Sequence, residues 1–135
     1  SHLYHGADDT GLASVVRSPW NRADSDLIEL RRGATWAAEN HIDRIDVLKV
    51  DVELSELDVL VGLESYLPEV KVVYVEYGSR RIRREIDALL GSSHELFLAE
   101  ITLESGECTY VRRDVADHPE AMPFLIRTVA ARRAG

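Results

Sequence analysis

The stretch from Ile45 to Leu57 constrains the fold of this chain more than any other part of it. It begins with a β-branched, mostly apolar run bounded by acidic residues, which is typical of a buried strand. A helical pattern follows at once, because Leu57, Leu60 and Val61 have the spacing of one helix face. The stretch therefore predicts a strand that leads directly into a helix.

Two carboxylates, Asp51 and Glu53, lie at this predicted junction of strand and helix. Residues two apart on a strand point to the same face, and ligands of open α/β sheets bind at the carboxyl ends of the strands. A carboxylate in such a place can accept the proton of a hydroxyl group. The structural alternative is that Asp51 caps the helix and Glu53 only complements its positive N-terminus. Ser55, with Asp58 three residues later, has the pattern of a helix N-cap with a capping-box-like acid.

A second strand and helix follow the first pair. Val70 to Tyr77 is another near-continuous apolar run, which indicates a buried parallel strand. Its last residues, Glu76 and Tyr77, are expected at the same edge of the sheet as the first acids. Gly78 and Ser79 provide a turn and a helix cap, and helical spacing then runs over Ile82, Ile86, Leu89 and Leu90. Alternation of strands and helices favours a parallel sheet with right-handed crossovers.

Shorter elements are expected on either side of these two units. They are a strand at Leu27 to Arg31, a helix at Thr35 to Ile42, strands at Glu95 to Leu103 and Cys108 to Val111, and a helix at Phe124 to Arg132. Trp36 is the expected anchor of the first of these helices. The two late strands are joined by a Gly-containing loop, which predicts an antiparallel hairpin.

Basic residues and histidines leave some interpretations open. Lys49, inside an apolar strand, is costly to bury unless it reaches water or an acid, so we expect it to pair with a nearby carboxylate. A basic cluster consists of Arg80, Arg81, Arg83 and Arg84. It either binds an anion at the start of its helix or forms a solvated face paired with Glu85 and Asp87. His94 follows that helix, where a positive charge is favourable. No zinc-ligand spacing occurs, and we predict no metal site.

Composition excludes several classes of protein. With 135 residues, 45% hydrophobic and 30% charged, the chain has the size and balance of a single globular domain. Its formal net charge of −8 argues against nucleic acid as a partner, because phosphate binding needs a basic surface. No apolar run approaches the ~20 residues of a membrane helix. The single cysteine, Cys108, cannot form an internal disulfide, which favours a cytoplasmic location.

Three segments carry a resemblance to a known family: Ile45 to Glu56, Val59 to Gly62, and Val72 to Glu76. Together they resemble the signature of the FkbM family of S-adenosylmethionine-dependent O-methyltransferases. The resemblance implies an α/β, Rossmann-like fold with a mostly parallel sheet and a carboxyl-terminal antiparallel hairpin, a partial class I methyltransferase fold. It also implies methyl transfer from S-adenosylmethionine to a hydroxyl of a small metabolite, sugar or polyketide-like substrate. Asp51, Glu53 and Glu76 are then the expected catalytic residues.

The sequence departs from the family in two respects. The family usually has glycine where this chain has Leu54, and a residue with a side chain does not easily adopt φ > 0 or let a ligand approach the backbone. None of the eight glycines lies within two residues of another, so the Gly-rich cofactor turn of Rossmann-like folds is absent. The chain is then expected to be the carboxyl-terminal part of a larger enzyme or a shortened relative without the cofactor site. The rival function is a truncated, non-catalytic module that binds a protein partner.

The missing segment would also leave the strand at Asp46 to Val52 with one neighbour only. An exposed apolar edge strand invites pairing with another chain. The amino-terminal segment Leu12 to Arg17 is too short to cover the whole edge. We therefore expect a homodimer or higher oligomer that buries the region around Val47, Val50 and Leu57, or association with a missing amino-terminal half.

Overall fold

The structure, a computed structural model, describes residues 2–5, 13–14, 24–121, 123 and 126–127. In chain order its elements are β1 (His2–His5), β2 (Ala13–Ser14), β3 (Asp24–Leu27), α1 (Gly33–Glu39), β4 (Val47–Val50), α2 (Glu56–Gly62), β5 (Val72–Tyr77), α3 (Arg80–Leu90), β6 (His94–Ile101), β7 (Gly106–Arg112) and α4 (Arg113–Ala116). A short 3₁₀ helix, Leu67–Glu69, lies between α2 and β5. Within the described residues, no helix is both long and apolar enough to cross a membrane.

Four strands form the main sheet, in the order β4-β5-β7-β6. β4 and β5 run parallel and are joined by α2, as the alternation of strand and helix predicts. β7 pairs antiparallel with both β5 and β6, which confirms the expected carboxyl-terminal hairpin. The expectation of a mostly parallel sheet is wrong for the described residues. The reason is that β7 lies between β5 and β6, which makes two of the three pairings antiparallel.

The hydrophobic core lies on the face of this sheet that α2 and α3 cover. Along β5, Val73, Val75 and Tyr77 are buried, whereas Tyr74 and Glu76 are exposed, because successive side chains of a strand point to opposite faces. The two helices contribute Leu60, Ile82, Ile86 and Leu90 to the core. Full burial of one such aliphatic side chain stabilises the fold by about 1.5–3 kcal/mol. The core therefore fixes α2 and α3 relative to the strands they follow.

Helix α3 has the boundary signals that its sequence predicts. Ser79 precedes the helix in an extended conformation, and its hydroxyl oxygen accepts a hydrogen bond from the Ile82 N–H at 3.2 Å. This cap satisfies one of the donors that the first turn of a helix leaves free. Gly91 ends the helix. The predicted turn and cap at Gly78 and Ser79 are confirmed, so α3 begins directly beyond the end of β5.

Helix α1 is shifted towards the amino end and is anchored by a different residue than expected. Trp36 is 48% exposed, so its predicted role as the anchor is wrong. Ala37 is the residue that this helix buries. A Cβ added to Gly33 would lie 2.8 Å from the Leu63 Cγ, which shows how closely the start of α1 approaches the end of α2. Such close packing leaves space for small side chains only, and the indole lies outside it.

The amino-terminal strands form a separate antiparallel sheet in the order β2-β1-β3. The strand expected at Leu27 to Arg31 is shifted, because β3 spans Asp24–Leu27 and pairs with β1. Of the expected strand at Leu12 to Arg17, only Ala13–Ser14 is described. Most of the expected helix at Phe124 to Arg132 lies outside the described residues. None of these amino-terminal strands pairs with β4, which is an edge of the main sheet in the described part of the chain.

Candidate functional site

The turn between β4 and α2 forms the first part of the site. β4 ends at Val50 and α2 begins at Glu56. In the turn, Glu53 and Leu54 both adopt left-handed backbone conformations, with φ angles of 49° and 77°. Such conformations are costly for residues with a Cβ and persist only where the surroundings enforce them. The expectation that Leu54 avoids φ > 0 is therefore wrong, because a hydrogen bond and a packing contact hold it there.

A buried carboxylate closes this turn. Glu56 is 2% exposed, and its Oε1 accepts a hydrogen bond from the Leu54 N–H at 2.8 Å. Its Oε2 and the Ser55 Oγ are buried without a hydrogen-bond partner among the described residues. Ser55 lies at the N-cap position of α2 as predicted, but its side chain makes no cap hydrogen bond. Ser55 lacks the extended backbone typical of an N-cap, and Glu56 bonds back to the turn instead.

Burial also changes the acidity of Glu56. Loss of solvation is the main cause that raises the pKa of its carboxyl. Hydrogen bonds from the backbone N–H groups of Glu56 and Leu54 act in the opposite direction, and the negative charges of Glu53 and Asp51 raise the pKa further. Glu56 therefore holds a proton more readily than an exposed glutamate does, and it lies within electrostatic reach of both acids of the turn.

Asp51 directly follows β4 and pairs with Lys49 of that strand. The Lys49 Nζ lies 2.8 Å from the Asp51 Oδ2, and this hydrogen bond is the main cause that raises the pKa of Lys49. The prediction that Lys49 pairs with a nearby carboxylate is confirmed. Asp51 bonds back to its own strand rather than forward to α2, so the alternative in which it caps the helix is wrong. The pair is exposed, where ion pairs contribute little to stability.

Glu76, near the end of β5, completes a group that we call the acidic rim: Asp51, Glu53 and Glu76. β4 and β5 are parallel neighbours, so both strands end at the same edge of the sheet. Glu107 lies directly opposite Glu76 on β7. Partial loss of solvation is the main cause that raises the pKa of Glu76, and the negative charges of Asp51, Glu107 and Glu53 raise it further. The structure thus places Asp51 and Glu53 within electrostatic reach of Glu76.

Two positional expectations at this edge are wrong. Tyr77 was expected to line the rim together with Glu76 and the acids of the turn. It ends β5 at this edge, but it is 2% exposed and faces the core, because neighbouring residues of a strand point to opposite faces. Asp51 and Glu53 were expected to share a face through strand alternation. The strand ends at Val50, so alternation does not extend to them. Their proximity results from the left-handed turn instead.

The side chain of Leu54 lies against Gly78, the residue that follows β5. A Cβ at Gly78 would collide with the Leu54 Cδ2. Leu54 therefore fills the gap between the ends of β4 and β5, and it fits only because position 78 carries no side chain. Sequence reasoning missed this contact. The available signal in the sequence was that a glycine, Gly78, follows β5, whereas Leu54 and no glycine follows β4.

The basic cluster on α3 is partly explained by pairing along the helix. Arg81 pairs with Glu85 at 2.6 Å, and Arg83 pairs with Asp87. Both are contacts between residues four apart, which lie on one helix face. The interpretation of a paired, solvated face is therefore confirmed for these two arginines. Among the residues that the structure describes, no three His, Cys, Asp or Glu side chains converge as metal ligands.

His94 has a structural role rather than the expected electrostatic one. It is buried at the start of β6, its Nε2 lies 2.8 Å from the Val70 carbonyl oxygen, and its Nδ1 lies 2.8 Å from the Ser93 Oγ. Burial lowers the pKa of this imidazole and favours its neutral form. The expectation of a favourable positive charge after α3 is therefore wrong.

Comparison with known proteins gives a consistent result. The sequence matches the methyltransferase FkbM domain over residues 7–120. A relative is the 2-O-methyltransferase NoeI of Sinorhizobium fredii (strain NBRC 101917 / NGR234), which is 28% identical over 85 residues. That match covers 56% of this chain and 35% of the relative, so the chain spans about a third of the relative's length. No solved structure shows a significant match. Because the matched domain covers most of its residues, the chain belongs to the FkbM methyltransferase family.

Proposed function

We propose that this chain forms the acceptor side of an O-methyltransferase whose methyl donor is S-adenosylmethionine. The observation that carries the proposal is the acidic rim at the edge where β4 and β5 end, the place where open α/β sheets bind ligands. Membership of a methyltransferase family and similarity to a protein named as a 2-O-methyltransferase support the reaction class. The acceptor is a hydroxyl of a small metabolite, a sugar or a polyketide-like molecule.

The acidic rim supplies the proton chemistry that such a reaction needs. A hydroxyl loses its proton when it becomes a methyl ether, and a positioned carboxylate accepts that proton. Glu76 is suited to this role because its pKa is raised, which makes it a stronger base than an ordinary carboxylate. Asp51 is held in one direction by Lys49 and orients the hydroxyl. Glu53, from the same turn, is the third acid available to the acceptor.

No cofactor-binding residue is assigned to this chain. Its sequence contains no Gly-x-Gly turn, and the Leu54 side chain fills the gap between the ends of β4 and β5. The residues present therefore do not supply the backbone cradle on which nucleotide-like cofactors lie in Rossmann-like folds. This observation also favours the second candidate function, a non-catalytic methyltransferase-like module that binds a protein partner.

Methyl transfer by the complete O-methyltransferase, in which this chain forms the acceptor side, distinguishes the two candidates. S-adenosylmethionine with a labelled methyl group is incubated with a panel of sugars, polyols and phenols, and cofactor binding is measured in parallel by calorimetry. We expect labelled ether products, and a rate at least about tenfold lower for Glu76→Gln. Glu64→Gln, on an exposed residue after α2, is the matched control and should keep the wild-type rate. Absence of both transfer and cofactor binding would overturn the catalytic proposal and favour the protein-binding module.

We also propose that a second copy of the chain covers the edge of β4. Val47 is 59% exposed on this strand, and the strand has one neighbour in the described residues. Val50, which the sequence placed in the same interface, is already buried in its own core. Light scattering at micromolar concentration should give the mass of a dimer, and Val47→Lys should reduce it to that of a monomer. Val61→Lys, on the exposed part of α2, is the control. A monomeric wild-type chain would contradict this proposal.

A further inference from the structure

The turn that carries the acidic rim is held by a residue outside the rim. Glu53 and Leu54 are consecutive residues with left-handed conformations, although neither is glycine. A chain of L-residues leaves such a conformation unless specific contacts oppose its relaxation. In this turn, the backbone N–H of Leu54 donates a hydrogen bond to the Glu56 Oε1 at 2.8 Å. This hydrogen bond closes the turn at the residue with the larger positive φ.

Burial gives this hydrogen bond its strength. Glu56 is almost completely shielded from water, and Leu60 of the same helix is fully buried. In such a place water does not compete for the N–H, and breaking the bond would leave a donor unsatisfied. Glu56 is also the first residue of α2, a helix that packs on the core, so its carboxylate has a fixed position relative to the turn. The helix therefore imposes the geometry of the turn.

We propose that Glu56 is a positioning residue of the acidic rim: its buried carboxylate holds the Leu54 N–H, fixes the left-handed turn, and so directs Glu53 towards Asp51 and Glu76. This inference rests on the proposed function only where it assigns the acidic rim to catalysis. The hydrogen bond from the Leu54 N–H to the Glu56 carboxylate, which we call the clamp, is a property of the folded chain and is measurable without any methyl transfer. Glu56 does not touch the acceptor, because it is buried beneath the turn.

The chemistry of Glu56 allows a faithful substitute. Oε1 accepts the hydrogen bond, whereas Oε2 has no partner among the described residues. A glutamine has the same length, and its amide oxygen can accept from the Leu54 N–H while the amide nitrogen takes the place of Oε2. An alanine has no acceptor, and an aspartate is one methylene too short to reach. Gln, Asp and Ala at position 56 therefore form a graded series.

Amide hydrogen exchange measured by NMR tests the clamp directly. In Glu56→Gln we expect the Leu54 amide to keep its wild-type protection. In Glu56→Ala and Glu56→Asp its protection should fall at least tenfold, while the Ile82 amide, which is capped by Ser79, should change less than twofold. Asp58→Ala, an exposed substitution in the same helical turn, is the matched control and should leave Leu54 protected. If Glu56→Ala does not fold, the comparison of Glu56→Gln with Glu56→Asp gives the same information.

The effect on the rim is read from the backbone conformation of Glu53 and from kinetics. The three-bond HN–Hα coupling of Glu53, which reports its φ angle, should change in Glu56→Asp and not in Glu56→Gln or Asp58→Ala. In methyl transfer, kcat should fall about tenfold in Glu56→Asp, with recovery in Glu56→Gln and with the KM for S-adenosylmethionine changed less than twofold. An unchanged Leu54 amide and an unchanged Glu53 coupling constant in Glu56→Asp would overturn the clamp. Intact NMR effects in a chain without transferase activity would instead contradict the proposed function alone.

A double substitution gives an independent measure of the coupling. Glycine adopts φ > 0 without penalty, so Leu54→Gly should remove the need for the clamp. In that background, Glu56→Asp should change the Glu53 coupling constant much less than it does in the wild-type chain. Equal effects of Glu56→Asp in both backgrounds would show that Glu56 does not act through the turn, and would overturn the inference.

Discussion

The interior beneath α3 and the turn between β4 and α2 differ in whether their buried polar groups have hydrogen-bond partners. Beneath α3, Tyr110 donates a hydrogen bond to the Asp87 Oδ1 at 2.6 Å, and His94 has a partner at each ring nitrogen. At the turn, buried oxygens of Ser55 and Glu56 have no partner among the described residues. The backbone at the turn is also in its least favourable conformation.

This difference indicates which region serves stability and which serves function. Proteins satisfy local rules where the fold depends on them, and they break one or two of them at functional sites. The α3 side follows the rules, with the Tyr77 hydroxyl as an exception that has no partner among the described residues. The turn breaks several rules within four residues. Substitutions in the two regions should therefore separate activity from stability.

The largest effect should come from Asp51→Asn at the rim. Loss of a positioned acid–base group typically costs about 10²-fold or more in rate, so turnover should fall by that factor in the active enzyme. Thermal unfolding should be unchanged, because the Asp51–Lys49 pair is exposed. Turnover and the unfolding temperature are measured on the same preparation. Near-normal turnover would leave Asp51 as a partner of Lys49 and nothing more.

On the other side of the comparison, Tyr110→Phe should affect stability alone. It removes the hydrogen bond to Asp87, and hydrogen bonds to charged groups contribute about 1.5–3 kcal/mol. We expect the free energy of unfolding in urea to fall by about that amount with no change in methyl transfer. Tyr74→Phe, on the exposed face of β5, is the control and should be close to neutral. A loss of activity in Tyr110→Phe would remove the separation between the two regions.

Leu54 tests whether strain at the turn is real. Leu54→Gly loses side-chain packing but gains backbone freedom at φ 77°, so the domain should remain folded with a change of about 1 kcal/mol or less. Leu54→Ala loses the packing and keeps the strain, so it should be less stable than Leu54→Gly. This order is the reverse of that in an ordinary helix or strand. Equilibrium unfolding of both variants decides, and a more stable alanine variant would show that the turn is not strained.

The smallest effects should appear as opposite pH dependences of the two regions. Burial lowers the pKa of His94 below its ordinary value of 6.5, so its contribution to stability is complete above that pH and is lost as the pH falls through the lower folded value. Burial raises the pKa of Glu56 above 4.5, so its contribution is complete below that pH and is lost as the pH rises through the higher folded value.

Unfolding curves across this pH range check both signs. Glu56→Gln should be more stable than the wild-type chain at neutral pH, and the advantage should vanish below pH 4.5. His94→Gln should be less stable at neutral pH, with a flatter decline below pH 6.5. If Glu56→Gln is instead less stable than the wild-type chain at neutral pH, the wild-type carboxylate is favourably solvated or paired.

The elements were predictable from the sequence wherever periodicity and burial agree. The runs around Val47 to Val50 and Val72 to Tyr77, the capped helix after Ser79 and the late hairpin all follow from local patterns. The order of the strands was not predictable, because no local pattern shows that β7 lies beside β5 rather than outside β6. The four-residue helix α4 is too short to show a helical periodicity in the sequence.

At the site, residue types were predictable and directions were not. Asp51 and Glu53 lie within electrostatic reach of Glu76, and the parallel pairing of β4 and β5 brings the ends of their strands to one edge. The inward direction of Tyr77 and the clamp by Glu56 depend on where the strand stops and what the helix buries. These are tertiary properties, and one residue of difference in the strand end reverses a side chain.

The contact between Leu54 and Gly78 makes two distant positions depend on each other. While position 54 carries leucine, a side chain at position 78 has to displace the Leu54 Cδ2, so the glycine there is constrained by a residue of the turn between β4 and α2. A glycine at position 54 would remove that constraint and allow alanine at position 78. The two changes are therefore easier in one order, first at 54 and then at 78, because the reverse order requires the Leu54 side chain to move out of its contact.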